Sequence, residues 1–155
     1  MEGRQKRGQI GVIGAATCSP EISAIAYEVG EAIAAHGFFL VCGGLGGVMK
    51  AACRGAKNAG GITIGIIPTD RKQDVNPYVD IVIPTGLGHA RNVLVVHAAD
   101  ALVAVAGEAG TLSEIAIALK TGKPLVGIQT WELGGRVPMA TGGREAVTMV
   151  LELLR

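Results

Sequence analysis

Hydrophobic positions along the chain follow two alternating patterns. Short apolar runs typical of strands are separated by longer segments in which apolar residues recur every three or four positions, as they do along one face of a helix. The runs predict strands over residues 9–13, 38–42, 62–67, 79–83, 101–106 and 125–128. The periodic segments predict helices from residue 20 to Gly37 and over 47–58, 89–99, 111–121 and 144–154.

The first two helices show the pattern most clearly. Ser19 has the side chain of an N-cap, and Pro20 suits the first helical position. The apolar stripe that follows consists of Ile22, Ile25, Val29 and Ile33. The second helix turns Met49, Cys53 and Ala56 inward and carries a basic face that we expect in solvent, made of Lys50, Arg54 and Lys57.

Regular alternation of strands and helices predicts an α/β fold, namely a single Rossmann-like, doubly wound parallel sheet with helices on both faces. The wholly apolar run 101–106 is expected at the centre of that sheet. A chain of 155 residues suits one domain. We expect this domain to cover residues 9–155, with residues 1–8 as a flexible tail.

Composition narrows the classes of partner. Hydrophobic residues make up 49% of the chain, and no apolar run is long enough to span a membrane. We therefore expect some of the apolar surface to be buried between subunits of a homo-oligomer, a dimer or a tetramer. A formal net charge of +1 gives no general attraction to nucleic acid or membrane. The three cysteines lack CxxC spacing and predict reduced thiols in a cytoplasmic protein. No residue cluster has the spacing of a metal site.

Glycine-rich turns carry the candidate chemistry. Each follows a predicted strand and precedes a helix, where free N–H groups and the helix dipole favour an anion. A tight strand-to-helix reversal would explain any one turn alone, but in open α/β sheets all of them gather at the carboxyl edge, where ligands bind. We therefore predict a phosphate-binding site there, formed by Gly14, Ala15, Ser19, Gly43, Gly44, Gly46, Gly47, His89, Gly107, Ala109, Gly110 and Thr111.

Two common nucleotide signatures are missing. A dinucleotide fingerprint needs GxGxxG after the first strand and an acid at the end of the second, but the first turn reads Gly11-Val12-Ile13-Gly14-Ala15-Ala16 and the second strand ends in Cys42. A P-loop needs a lysine directly after its last glycine, and none follows in that register. Binding of NAD and hydrolysis of ATP are therefore disfavoured.

Two charged residues beside the turns suggest a reaction. Glu114 lies one helical turn beyond Thr111, and Arg91 lies at the start of the preceding helix. Over a bound nucleotide, the pair could orient ribose hydroxyls and stabilise charge as an N-glycosidic bond breaks. Alternatively, Glu114 complements the helix dipole and Arg91 is a surface cation. Trp131 could stack on a base or close a subunit interface.

These segments resemble the "Lonely guy" (LOG) family within a wider Rossmann-like group. The family signature PGGxGTxxE is similar to residues 106–114, Ala-Gly-Glu-Ala-Gly-Thr-Leu-Ser-Glu, and its arginine motif MHERK aligns with residues 88–92. Residues 42–49 resemble its second glycine turn. Three positions depart from the motifs, with Ala106 for proline, Glu108 for glycine and Asn92 for lysine.

The resemblance implies two functions. LOG enzymes hydrolyse nucleoside 5′-monophosphates, so Arg91 and Glu114 would be the catalytic pair, with Gly107, Gly110 and Thr111 around the phosphate of an AMP-like ligand. The short chain, Glu108 and Asn92 favour a compact branch resembling the molybdenum cofactor carrier proteins, which bind a phosphate-bearing pterin without turnover. A sensor of nucleotides is a third alternative. No cofactor is required for the hydrolysis that the resemblance implies.

Overall fold

A computed structural model describes residues 8–155, so that residues 1–7 of the predicted tail lie outside it. The strands are β1 Gln9–Gly14, β2 Phe39–Cys42, β3 Thr63–Ile67, β4 Ile81–Pro84, β5 Ala101–Val105 and β6 Leu125–Ile128. The α-helices are α1 Pro20–Ala35, α2 Val48–Asn58, α3 Arg91–Ala98, α4 Ala109–Lys120 and α5 Gly143–Leu154. Short 3₁₀ helices cover Lys72–Asp74 and Gly88–Ala90.

All six strands form one parallel sheet in the order β4-β3-β2-β1-β5-β6. The chain adds β2, β3 and β4 on one side of β1 and then crosses back to place β5 on the other. The strand order therefore reverses between β1 and β5, which pair from Ile10 with Ala101 to Gly14 with Val105. The predicted doubly wound parallel sheet is confirmed. The run expected at its centre, β5, lies instead between β1 and the edge strand β6, and the two middle strands are β2 and β1.

Helices cover both faces of the sheet, as predicted. On one face α1, α2 and α5 pack over Val12, Leu40 and Val103. On the other face α3 and α4 pack over Ile13 and Leu102. The faces alternate along β1 because successive side chains of a strand point to opposite sides. Both faces of the central strands are thus buried, and this accounts for their continuous apolar sequence.

Helices α1 and α2 approach closely because of two glycines. A Cβ on Gly30 would lie 1.9 Å from the carbonyl oxygen of Ala52, and a Cβ on Gly55 would lie 2.0 Å from that of Tyr27. Neither distance is sterically possible, so each glycine admits the backbone of the other helix. The start of α1 is built as predicted, with Ser19 Oγ accepting from the Ile22 N–H at 3.3 Å.

The remaining differences from the predicted elements are small and local. Helix α4 begins at Ala109, two residues before the predicted start at 111. The predicted helix 89–99 is divided into a 3₁₀ turn, Gly88–Ala90, and α3.

Large hydrophobic residues are exposed on edge strand β4, α3 and the connection between them: Ile81, Ile83, Leu87, Val93 and Leu94. No helix in residues 8–155 has the length and hydropathy needed to cross a membrane.

Candidate functional site

A cavity of about 330 Å³ lies at the carboxyl end of the sheet, at the reversal between β1 and β5. Its walls come from the end of β1 and the loop after it, the β2–α2 turn, the start of α3 and the β5–α4 turn. This is the place where open α/β sheets bind their ligands, because loops on either side of the reversal separate there. We call it the switch-point cavity.

The β5–α4 turn presents the start of a helix to this cavity. Gly107 has φ +100°, and a Cβ there would lie 2.2 Å from Thr111 Oγ1, so the turn requires glycine. The N–H of Leu112 bonds to the Glu108 carbonyl at 2.9 Å, and the N–H groups before it in the first turn have no partner within the helix. Gly110 lines the cavity, and the space where its Cβ would lie is open.

Residues after β6 brace the same turn from outside. Thr130 Oγ1 donates to the carbonyl of Ala106 at 2.6 Å, and Trp131 Nε1–H donates to the carbonyl of Glu108 at 3.3 Å. Trp131 is 40% exposed and does not line the cavity. Both bonds end on carbonyl groups of the turn, so they use none of its N–H groups.

The β2–α2 turn contributes one glycine to the wall and uses the others to pack. Gly43 lines the cavity, and a Cβ on it would lie 2.6 Å from Arg91 Nη2. Gly44, with φ +75°, packs against Ile67 of β3. Gly47, with φ +59°, lies against the carbonyl of Ala15, so that the loops after β1 and β2 are in direct contact.

Arg91 is buried in the cavity wall, with 9% of its surface exposed. Its Nη1 donates to Asn92 Oδ1, and its Nη2 donates to the carbonyl of Gly43 at 3.5 Å. Asn92 Nδ2 donates in turn to Ser113 Oγ at 3.2 Å, and that hydroxyl donates to the carbonyl of Gly110 at 2.6 Å. Side chains thus connect α3 to the first turn of α4. The Nε of Arg91 is buried and has no hydrogen-bond partner among the described residues.

Glu114 lies in the same wall with 7% of its surface exposed. Burial raises the pKa of its carboxyl to about 7, and the positive charge of Arg91 opposes that rise. Burial also lowers the pKa of Arg91. The two side chains form no ion pair within 4 Å in the described part of the chain. A carboxyl with this pKa exchanges its proton near neutral pH and could act as a general acid or base.

The structure brings together eight of the residues predicted for the site. The cavity is lined by Gly14, Ala15, Gly43, His89, Arg91, Gly110, Thr111 and Glu114. Gly44, Gly46, Gly107 and Ala109 are not part of its lining. Ser19 and Gly47 instead line a second cavity on the other side of the Ala16–Thr17 segment. His89 is exposed, whereas Thr111 is buried in the wall.

Sequence reasoning did not assign several residues of the lining. These are Val12, Ile13, Ala16, Thr17, Leu45, Met49, Asn92 and Glu108. Asn92 and Glu108 attracted notice only as departures from the LOG motifs. Ala16 and Thr17 carried a usable signal, since they directly follow β1 at the predicted ligand-binding edge. Leu45 and Met49 carried none, because an apolar residue in a turn or on a helix is commonly part of the core.

Comparison with known proteins decides the family. The model of the SLOG cluster4 family matches residues 7–151. The chain belongs to the SLOG cluster4 family. This confirms the resemblance to the LOG-like group that the motifs indicated. An Archaeoglobus fulgidus protein of uncharacterised function is 55% identical over 122 residues, covering 78% of this chain and 80% of that protein.

A second relative of this SLOG chain is an enzyme. The cytokinin riboside 5′-monophosphate phosphoribohydrolase of Mycobacterium tuberculosis is 34% identical over 121 residues, which cover 72% of the present chain. The matched part spans 64% of that enzyme's own length. The enzyme's activity therefore bears on the present chain only as a candidate function.

Solved structures similar to this SLOG protein include binding proteins for the molybdenum cofactor. The molybdenum cofactor binding protein of Rippkaea orientalis has a TM-score of 0.89 at 35% identity, covering 97% of this chain and 99% of that chain. The molybdenum cofactor carrier protein of Chlamydomonas reinhardtii has a TM-score of 0.85 at 38% identity, with coverage of 96% and 99%. Here the similarity extends over nearly the whole of both chains.

Proposed function

We propose that this SLOG protein is a binding protein that holds a phosphate-bearing small molecule in the switch-point cavity without turning it over, and that this molecule is the molybdenum cofactor. The proposal depends on the Nε–H of Arg91, which is buried and has no hydrogen-bond partner in the described part of the chain. A buried donor without a partner costs about 1–3 kcal/mol. A bound anion would recover that energy by accepting the bond.

The opposite wall supports the same ligand chemistry. The first turn of α4 offers N–H groups without helix partners, and Thr111 Oγ1 has no hydrogen-bond partner among the described residues. A phosphate between Arg91 and this turn would bind both. The choice of the molybdenum cofactor rests on the carrier proteins of Rippkaea and Chlamydomonas, whose similarity covers nearly the entire chain.

A pair of substitutions tests this site. Gly110→Ala places a methyl group in the open space of the cavity, and Thr111→Val removes a hydroxyl that bonds to no described protein group. We expect the double variant to fold normally and to lose at least tenfold in affinity for the cofactor. Thr148→Val, which removes an exposed hydroxyl on α5, is the matched control.

The assay uses cofactor released anaerobically from a molybdoenzyme. Protein mixed with it is passed through a desalting column, and the bound fraction is measured both as molybdenum and as oxidised, fluorescent pterin. Wild type and the Thr148→Val control should retain the cofactor equally. Equal retention by the double variant would mean that the ligand binds elsewhere, and no retention by wild type would overturn the proposal.

Hydrolysis of a nucleoside 5′-monophosphate is the second candidate function. Arg91 and Glu114 both line the cavity, and a carboxyl with a pKa of about 7 could transfer a proton to or from a leaving base. Incubation with AMP and with N6-substituted AMP tests it by release of free base and ribose 5-phosphate. Turnover by wild type that is lost in Glu114→Gln would establish hydrolysis as the function. Binding without turnover would support the role of a carrier.

We also propose that the protein is cytoplasmic. Cys42 and Cys53 are buried free thiols with sulfur atoms 3.5 Å apart, and Cys18 is also free. Their reduced state agrees with a cytoplasmic protein. The homo-oligomer and the absence of a nucleic-acid partner stay predictions.

A further inference from the structure

A second cavity of about 680 Å³ lies beside the switch-point cavity. Ala16 and Thr17 line both, so one short segment of backbone after β1 separates the two spaces. The far wall of the second cavity comes from the outer face of α2 and from Tyr78. We call it the α2 cavity.

Two cations in its wall lack a charged or hydrogen-bonding partner among the described residues. Lys50 and Arg54 lie four residues apart on α2, on the same face, and both are exposed. Neither side chain forms a hydrogen bond or an ion pair with any described residue. The next cation on the helix is different, because Lys57 Nζ pairs with Asp80 at 2.9 Å. Like charges four residues apart repel, and no acidic residue within 8–155 lines this cavity.

Aromatic rings accompany the two cations. The Arg54 guanidinium lies 6.0 Å from the centroid of the Tyr27 ring, and Tyr78 lines the same cavity. The backbone of Tyr78 is held in place, since its N–H donates to Asn76 Oδ1 at 3.0 Å while Asn76 Nδ2 donates to the carbonyl of Leu45 at 2.9 Å. Half-buried tyrosines beside unpaired cations suit a planar ring that carries a negative group.

The start of α1, which also borders this cavity, adds little to anion binding. Pro20 has no N–H, and the N–H groups of Ile22 and Ser23 are bonded to Ser19. Recognition of an anion here would therefore depend on the side chains of Lys50 and Arg54 rather than on the helix dipole.

We infer that the α2 cavity is a second subsite, which binds a phosphorylated planar ring joined to the group held in the switch-point cavity. The inference rests on the proposed function and deepens it, because it gives the ligand a dinucleotide-like form. One phosphate group lies against Arg91 and the first turn of α4. The ligand crosses the Ala16–Thr17 segment, and its second half lies between the tyrosines, with its charge on Lys50 and Arg54.

Calorimetry with two probes tests the subsite. AMP has one adenosine and one phosphate, and P1,P2-di(adenosine-5′) pyrophosphate has two adenosines joined through two phosphates. We expect wild type to bind the dinucleotide at least tenfold more tightly than AMP. The double variant Lys50→Gln, Arg54→Gln should keep its affinity for AMP and reduce this advantage to less than twofold. The control Lys120→Gln, Arg136→Gln removes two exposed charges away from both cavities and should behave as wild type.

The outcomes separate this inference from the proposed function. The α2 subsite is overturned if wild type binds both probes with equal affinity, or if Lys50→Gln, Arg54→Gln still binds the dinucleotide at least tenfold more tightly than AMP. The proposed function is unaffected by either result as long as AMP binding depends on Thr111 and Gly110. Dinucleotide binding that needs Lys50 and Arg54 but not Thr111 supports the subsite and counts against the first site. Absence of binding of both probes at millimolar concentration overturns the subsite and, with no cofactor retained either, the proposed function.

Discussion

The buried carboxyl of Glu114 should make the protein less stable as the pH rises. Its pKa is about 7 in the folded protein and 4.5 without the fold, because burial disfavours the charged form. Between these values the folded state binds more protons than the unfolded state, so the free energy of unfolding falls with pH. At 1.36 kcal/mol per pKa unit the loss is roughly 3 kcal/mol between pH 4 and pH 8.

The substitution Glu114→Gln isolates this effect, because the amide has nearly the same shape and no charge. At pH 4.5 the variant should be close to wild type in stability. At pH 8 it should be more stable by up to roughly 3 kcal/mol, since wild type then carries the cost of a buried carboxylate. Glu152→Gln replaces an exposed carboxylate on α5 and serves as the control, with no comparable gain expected.

Urea denaturation at pH 4.5, 6, 7 and 8 measures these differences, at one fixed protein concentration because an oligomer's stability depends on it. The prediction is wrong if Glu114→Gln is less stable than wild type at pH 8 and this deficit is larger than the one at pH 4.5. That result would mean that the charged carboxylate is stabilised by Arg91 more than it is destabilised by burial.

Two further predictions concern packing and assembly. Gly30→Ala should lower the free energy of unfolding by about 1–3 kcal/mol, because its Cβ would lie 1.9 Å from the carbonyl oxygen of Ala52. Gly60→Ala is the control in the same denaturation assay. Its Cβ would meet no described atom within 4 Å but its φ is positive, so it measures backbone strain without overpacking. Light scattering should give a mass well above the 15.8 kDa of one chain, in keeping with the exposed hydrophobic residues of β4 and α3, and a monomer mass would contradict the predicted oligomer.

Local sequence was sufficient to predict the elements and the edge of the sheet where the switch-point cavity lies. Apolar runs and periodic segments marked the strands and helices, and Ser19 and Pro20 marked the start of α1. Each of these signals is close in the sequence to the strand or helix that it predicts. The position of Thr111 and Glu114 in the cavity wall followed from the same kind of signal, because a helix that follows a parallel strand begins at the carboxyl edge.

Other features depend on residues that are distant in the chain. Gly30 is required only because α2 crosses α1 at that point, and no pattern within α1 announces it. The basic face of α2 was expected in solvent, but whether it borders a cavity depends on where Tyr27 and Tyr78 lie. The pKa of Glu114 rises only because other elements cover the carboxyl.

The sequence by itself determined the order and type of the elements and the glycine-rich turns at the carboxyl edge, where the switch-point cavity lies. Only the tertiary structure decided the strand order, the burial of Arg91 and the pair of cavities on either side of Ala16 and Thr17. The physical reason is the range of the interactions. Hydrogen-bonded turns and helix caps act between neighbours in the chain, whereas desolvation and cavity shape depend on every segment that packs around a group.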